Sequence, residues 1–275
     1  MPGDLTIVVG PQTESAFALN SYVRKFAPLL KDAGVKALPV RASMSLISRV
    51  TDPSRPLAER IFDLQNDAEL HPVTLCAINF FGPPESALKS GKFFPEPESF
   101  TRPLGEVAGK ARIILAVDAL YKMFLAPGAT RLEARVKVTG WEHLFDLGWL
   151  ELARAVSDGF PEAELLVLTP EGLALRSEDV LARVFYRDKP VQGDPHWLLR
   201  QALTETGQSV LDRIFATSDP DEKILSEVYG AFRKEIPHSD IEARLGIEKI
   251  TATLLDQRFR EDLDAIAALP RVEII

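Results

Sequence analysis

The sequence predicts an α/β fold: three layers, with a mainly parallel sheet flanked by helices and a helical C-terminal part. Three observations predict it. Short, β-branched apolar runs of strand length recur through the first 175 residues. Amphipathic helical stretches separate them. Beyond residue 175 the pattern turns helical until a last apolar tetrad. Continuous apolar strands alternating with helices are what a parallel sheet covered on both faces requires. The chain reads as one domain over 1–275, with a core over 1–175 and a helical extension over 176–275.

The elements follow in order. Leu5-Thr-Ile-Val-Val9 is a buried strand ended by Gly10-Pro11. From Ser15 to Ala33, Phe17, Leu19, Tyr22, Val23, Phe26, Leu29 and Leu30 recur at helical spacing, and Gly34 closes the helix. Val35–Val40 reads as a second strand, Pro56–Glu69 as a helix, and Val73–Phe81 as a third strand. Residues 82–109 carry Pro83, Pro84, Pro95, Pro97 and Pro103 and read as an irregular lid or binding loop, or as a surface excursion with a short helix. Ala111–Val117 is a fourth strand, 119–126 a short helix, 141–160 a strong amphipathic helix, and Glu164–Thr169 a fifth strand. Helices are expected over 178–185, 196–215, 219–235 and 248–268, with Asp219-Pro220 as a helix start, and 272–275 as a final short strand.

Composition narrows the class. The 275 residues hold 32 Lys+Arg against 40 Asp+Glu, a formal net charge of −8, which argues against a nucleic-acid partner. A single cysteine excludes an intrachain disulfide and any multi-cysteine metal site. Cys76 sits in an apolar strand run and reads as a core residue rather than a nucleophile. No apolar run approaches the ~20 residues that span a bilayer, and the N-terminus has no signal-peptide pattern, so a cytoplasmic protein is expected. His71, His143, His196 and His238 are scattered without zinc spacing, and no metal is expected. Trp141, Phe145, Trp149 and Leu152 recur at helical spacing and read as core, whereas Arg258, Arg260, Glu261, Asp262 and Asp264 read as a solvated helix face.

In parallel sheets, ligands sit at the carboxyl ends of strands. The places to inspect are therefore residues 10–16, 41–45, 82–92, 118–128 and 169–176. Gly10-Pro-Gln-Thr-Glu-Ser-Ala16 joins a strand to a helix N-terminus, a ready anion site. It lacks the Gly-Lys-Ser/Thr ending of a nucleoside-triphosphate loop and the extra glycines of a dinucleotide fingerprint. Arg187-Asp-Lys-Pro-Val-Gln-Gly-Asp194 reads as a plain loop between helices.

Ile7–Val23 with Leu30–Val35 resembles the opening of bacterial sulfotransferases. Ile113–Ala126, Gly140–Phe145, Phe160–Leu173 and Phe259–Val272 resemble later segments of that family, in order and with rough spacing. The resemblance implies a sulfotransferase-like P-loop fold. It also implies a site for 3′-phosphoadenosine 5′-phosphosulfate, the sulfuryl donor, at Gln12, Thr13, Glu14, Ser15, Ala16 and Asp118. The departures from the family are concentrated there. The loop lysine is replaced by Gln12, the glycine by Glu14, and the two threonines by Ser15 and Ala16. In the second segment an arginine gives way to Val117 and a serine to Leu125, while Asp118 is retained.

A lost charge-assisted bond to a buried anion costs roughly 2–5 kcal/mol, and several are lost together. The resemblance, with these departures, implies a degenerate or inactive member, a pseudoenzyme binding a glycan, lipid or protein partner in the old cleft. The alternative is an active sulfotransferase moving a sulfuryl group to a hydroxyl of a carbohydrate or small molecule, with Lys89 and Lys92 standing in for the missing cations. The sequence identifies no catalytic residue and no oligomeric state.

Overall fold

Among the described residues, six parallel strands form one sheet: β1 (Leu5–Gly10), β2 (Lys36–Leu38), β3 (Val73–Ile78), β4 (Arg112–Ala116), β5 (Glu164–Leu168) and β6 (Val272–Ile274), in the order β2-β3-β1-β4-β5-β6. The computed structural model describes residues 5–68, 72–82, 94, 96–108, 110–125, 141–185, 194 and 196–275, without the side chains of 65–68 and 143.

Alternation along each strand sends side chains to two different cores. Leu5, Ile7 and Val9 face one core, with Leu75, Ile113, Leu115, Leu165 and Val167. That face is covered by α3 (Val40–Val50), α4 (Leu57–Ala68), α5 (Glu98–Ala108), α7 (Trp149–Gly159) and α14 (Lys249–Ala267). Val8, Cys76, Ile114 and Leu166 face the other core. There the cover is α1 (Glu14–Lys25), α2 (Ala27–Asp32), α8 (Pro170–Leu175), α9 (Ser177–Val184) and α10 (Trp197–Ala202). The expected layering, helix on sheet on helix, is therefore present. A third apolar cluster joins α10 to α11 (Glu205–Thr217) and α12 (Glu222–Phe232) through Leu199, Leu203, Leu211, Leu225 and Val228. Two further elements are short: α6 (Leu120–Met123) follows β4, and α13 (His238–Leu245) precedes α14.

Several boundaries differ from the sequence expectation, each for a local reason. The helix expected over 15–33 is two helices, broken at Phe26, with Pro28 in the first turn of α2 where its missing N–H costs nothing. The strand expected over 35–40 stops at Leu38, because Pro39 opens α3. The third strand stops at Ile78, where Asn79 turns to φ 63°. The irregular stretch contains α5, eleven residues long with Pro103 inside it. The helix expected over 141–160 is a 3₁₀ turn, Glu142–Phe145, and then α7 after Gly148. The one over 196–215 breaks at Leu203, and Thr204 caps α11 by accepting from the Gly207 amide at 3.2 Å. Asp219-Pro220 does not start α12. Asp221 does, its carboxylate accepting the Ile224 amide at 2.9 Å.

On the helix face expected to be solvated, Arg258, Arg260, Glu261 and Asp264 are exposed, and Asp262 is the exception. It is only 3% exposed and reaches across to cap α7, its Oδ2 accepting the Trp149 amide at 2.8 Å. Burial pushes its pKa up, against the pull of that hydrogen bond and of Arg258. Cys76 does behave as core: it is 1% exposed, and burial pushes its thiol up to about 12.

Replacing Asp262 with Ala removes the cap and is expected to destabilise the chain by about 1–2 kcal/mol, measured as a lower urea midpoint. Gly172→Ala acts elsewhere. An added Cβ would lie 1.9 Å from the carbonyl carbon of Ile275, so the end of β6 must shift. A loss of about 3 kcal/mol is expected in the same measurement.

Candidate functional site

The strand order fixes where a cleft forms. From β1 the chain leaves toward β2 on one side, and from β4 it leaves toward β5 on the other, although β1 and β4 are neighbours. Connections that diverge from adjacent strands open a crevice at their carboxyl ends. Gly10 ends β1 at φ 141°, and a Cβ there would meet the Ala116 carbonyl oxygen at 2.7 Å. The two strands thus exit pressed together, and glycine is required at that point.

Beyond Gly10, Thr13 caps α1, its Oγ1 accepting the Ala16 amide at 3.2 Å. Glu14 opens the first turn, where a negative charge suits the helix dipole. Ser15 is fully buried, and its hydroxyl has no hydrogen-bond partner among the described residues. The same holds for the buried Gln12 Oε1 and Asn79 Oδ1. From β4, Asp118 is 3% exposed. Its Oδ1 accepts the Ala119 amide at 2.7 Å and lies 3.3 Å from Lys122 Nζ, one turn along. Its carbonyl accepts the Trp149 indole N–H at 2.8 Å. From β5, Thr169 caps α8, accepting the Gly172 amide at 3.0 Å.

These exits enclose a cavity of about 550 Å³, within the range of small-molecule sites. Its polar lining is Glu14, Ser15, Ser21, Asp118, Lys122 and Gln201. Phe17, Leu125, Leu173, Trp197, Leu198 and Ile236 supply most of the apolar wall. A second cavity of about 320 Å³ adjoins it and shares Glu14, Lys122, Pro170, Ala202 and Ile236. Its own lining is polar and includes Tyr121, Tyr229, Arg233, Lys234, Asp256 and Arg260.

Of the inspected places, 10–16, 118–128 through Leu125, and 169–176 converge on the first cavity. Residues 41–45 do not. They lie in α3, where Ser43 Oγ bonds the Leu38 carbonyl at 2.7 Å and the Cys76 amide at 2.9 Å. Residues 83–92, with Lys89 and Lys92, lie outside the described residues, as do His71, the His143 side chain and most of 187–194. Of the donor positions named from the sequence, Glu14, Ser15 and Asp118 line the cavity, whereas Gln12, Thr13 and Ala16 do not. Ala16 is buried with Ile78 and Ala116. Sequence reasoning missed Lys122, although its place four residues after Asp118 in a helical stretch signals the pairing. It also missed Ser21 and Gln201, which sit on helices, and Ile236, in the segment after α12; none of them belongs to a motif.

The electrostatics concentrate at the α1 N-terminus. Glu14 keeps solvent access at the cavity mouth, but protein surrounds its carboxylate. That desolvation, and then the charge of Asp118, push its pKa above the ordinary carboxylate range, against the pull of Lys122, Lys234 and Arg233. Burial raises Asp118 likewise, despite Lys122 and the Ala119 amide. Burial, with Glu14 next, pushes the Tyr229 hydroxyl up to about 12. Among the described residues no group of three His, Cys, Asp or Glu side chains could hold a metal. None of the described helices is long and apolar enough to cross a membrane.

Compared with known proteins, the chain matches no family model, no curated protein and no solved structure.

A carboxyl held above its usual pKa costs stability when ionised. That cost is present above the folded-state pKa and disappears as pH falls through it. Glu14→Gln is therefore expected to raise the melting temperature by about 1–2 °C at pH 7. The gain should vanish near pH 4, as paired thermal melts would show.

Proposed function

We propose that this is a sulfotransferase-like protein whose donor cleft has become a binding site for a small, largely apolar molecule, and that it transfers no sulfuryl group. One observation carries the reading: the charge at the α1 N-terminus. A phosphosulfate donor would need net positive charge there. The cavity lining instead offers two carboxylates, Glu14 and Asp118, and a single cation, Lys122, which Asp118 engages at 3.3 Å. Glu14 supplies, from within the chain, the negative charge that the helix N-terminus would otherwise draw from a ligand.

The lining supports the kind of occupant. Phe17, Leu125, Leu173 and Trp197 give an apolar wall that suits a lipid-like body better than a glycan, which needs many paired polar groups. These side chains line an open cavity rather than fill it, so the cleft has kept room for a ligand.

The active transferase remains the second reading because of Ser15. A fully buried hydroxyl without a partner among the described residues, lining the cavity at a helix N-terminus, fits a bound oxyanion. Calorimetric titration with 3′-phosphoadenosine 5′-phosphate at moderate salt separates the two. No heat at millimolar nucleotide is expected. Micromolar binding would overturn the proposal and restore the transferase.

A further inference from the structure

The apolar cavity adjoins a polar one, and the two share Glu14, Lys122, Pro170, Ala202 and Ile236 in their linings. The polar cavity is the unusual half. Four cations line it, Lys122, Arg233, Lys234 and Arg260, against three carboxylates, Glu14, Glu235 and Asp256, in a chain whose net charge is −8. The cations are unequally committed. Lys122 pairs with Asp118, Arg233 pairs with Glu235 at 2.6 Å, and Lys234 donates to the Gln201 carbonyl at 2.7 Å. Arg260 has no ion pair or hydrogen bond among the described residues. Two of the three carboxylates are partly occupied, since the Tyr121 hydroxyl donates to Asp256 at 3.2 Å and Glu235 holds Arg233. An unspent guanidinium beside two further cations, adjoining an apolar chamber, is the complement of a molecule with one charged end.

We propose that the two cavities are one bipartite site for an anionic amphiphile, its apolar body against Phe17, Leu125, Leu173 and Trp197 and its head among Arg260, Arg233 and Lys234. The proposal rests on reading the cleft as a site that does not take the donor nucleotide. Carboxylate and phosphate heads share the needed chemistry, anionic oxygens within reach of a guanidinium fork.

Glu14 stands at the junction and sets a pH dependence. The charged and titratable groups around it are Asp118 and Lys122 from the β4 exit, Arg233 and Lys234 beyond α12, and Tyr229 on α12. A bound anion adds negative charge to this set and favours protonated Glu14, so affinity rises as pH falls. His238 also lines the polar cavity. A Glu14 variant isolates the contribution of Glu14.

The test titrates the full chain calorimetrically with decanoate, decyl phosphate, decan-1-ol, decylamine and 3′-phosphoadenosine 5′-phosphate. Decanoate and decyl phosphate are expected to bind at least about tenfold more tightly than decan-1-ol, with decylamine silent. Arg260→Ala, at an exposed position that leaves folding intact, should weaken both anions about tenfold and leave decan-1-ol unchanged. Glu14→Gln should tighten decanoate at pH 7.5 and flatten its pH dependence. If the two anions differ from each other but both exceed the alcohol, the preferred one identifies the head. The proposal is overturned if decan-1-ol or decylamine matches the anions, if Arg260→Ala changes nothing, or if no amphiphile binds. In these cases nucleotide silence leaves the non-donor reading standing, whereas nucleotide binding sinks that reading as well.

Discussion

β1 lies between β3 and β4 and beneath helices on both faces, so its residues meet solvent only where the strand ends. A parallel sheet has to be covered on both sides, and the strand at its middle is therefore wholly apolar apart from Thr6. Any chemistry is pushed to the strand exits. Gly10 makes that exit tight, and the opposite departures of β1 and β4 make it open outward. The cleft's location follows from packing before any polar residue is considered.

Polar residues then decide what the cleft can hold. Asp118 is the clearest case. Its carboxylate is buried against an amide and a lysine, and its carbonyl fixes the Trp149 indole, so it ties β4, α6 and α7 together. A carboxylate so occupied has little left for a ligand. Glu14, by contrast, has a carboxylate facing both cavities and a neighbour, Ser15, with an unused hydroxyl. These two adaptable groups of the apolar cavity sit side by side on the first turn of one helix.

The inner strands β1, β3, β4 and β5 were legible in the sequence because each is a short, mostly apolar run, and burial on two faces leaves no alternation to misread. Helix boundaries were less legible. Phe26, Gly148 and Leu203 interrupt patterns whose apolar spacing runs on across the break, so periodicity alone joined pairs of helices. Asp262 was misread because an aspartate among charged neighbours on a helix looks solvated, and only the approach of α7 shows what it caps. In the site, the residues next to strand ends were found from topology. Those contributed by α10 and the segment after α12 carry no local signal, since their role depends on how a helical region folds back over the sheet. The sulfotransferase resemblance drew attention to Gln12 and Thr13, but Thr13 spends its hydroxyl on a cap and neither residue reaches the cavity.

That folding back has a kinetic side. Leu165 in β5 pairs with Val272 in β6, and Ile275 then lies against Thr169 and Gly172 at the head of α8. The contact closes a long stretch of chain, so its loop entropy must be overcome before the pairing is rewarded. Pro170, Leu173 and Ala174, which line the cavity, stand on this contact. The β1–β4 pairing at the sheet's centre, Thr6 beside Arg112, spans almost as much chain, so the cavity gains its full wall only when two long-range pairings have both closed.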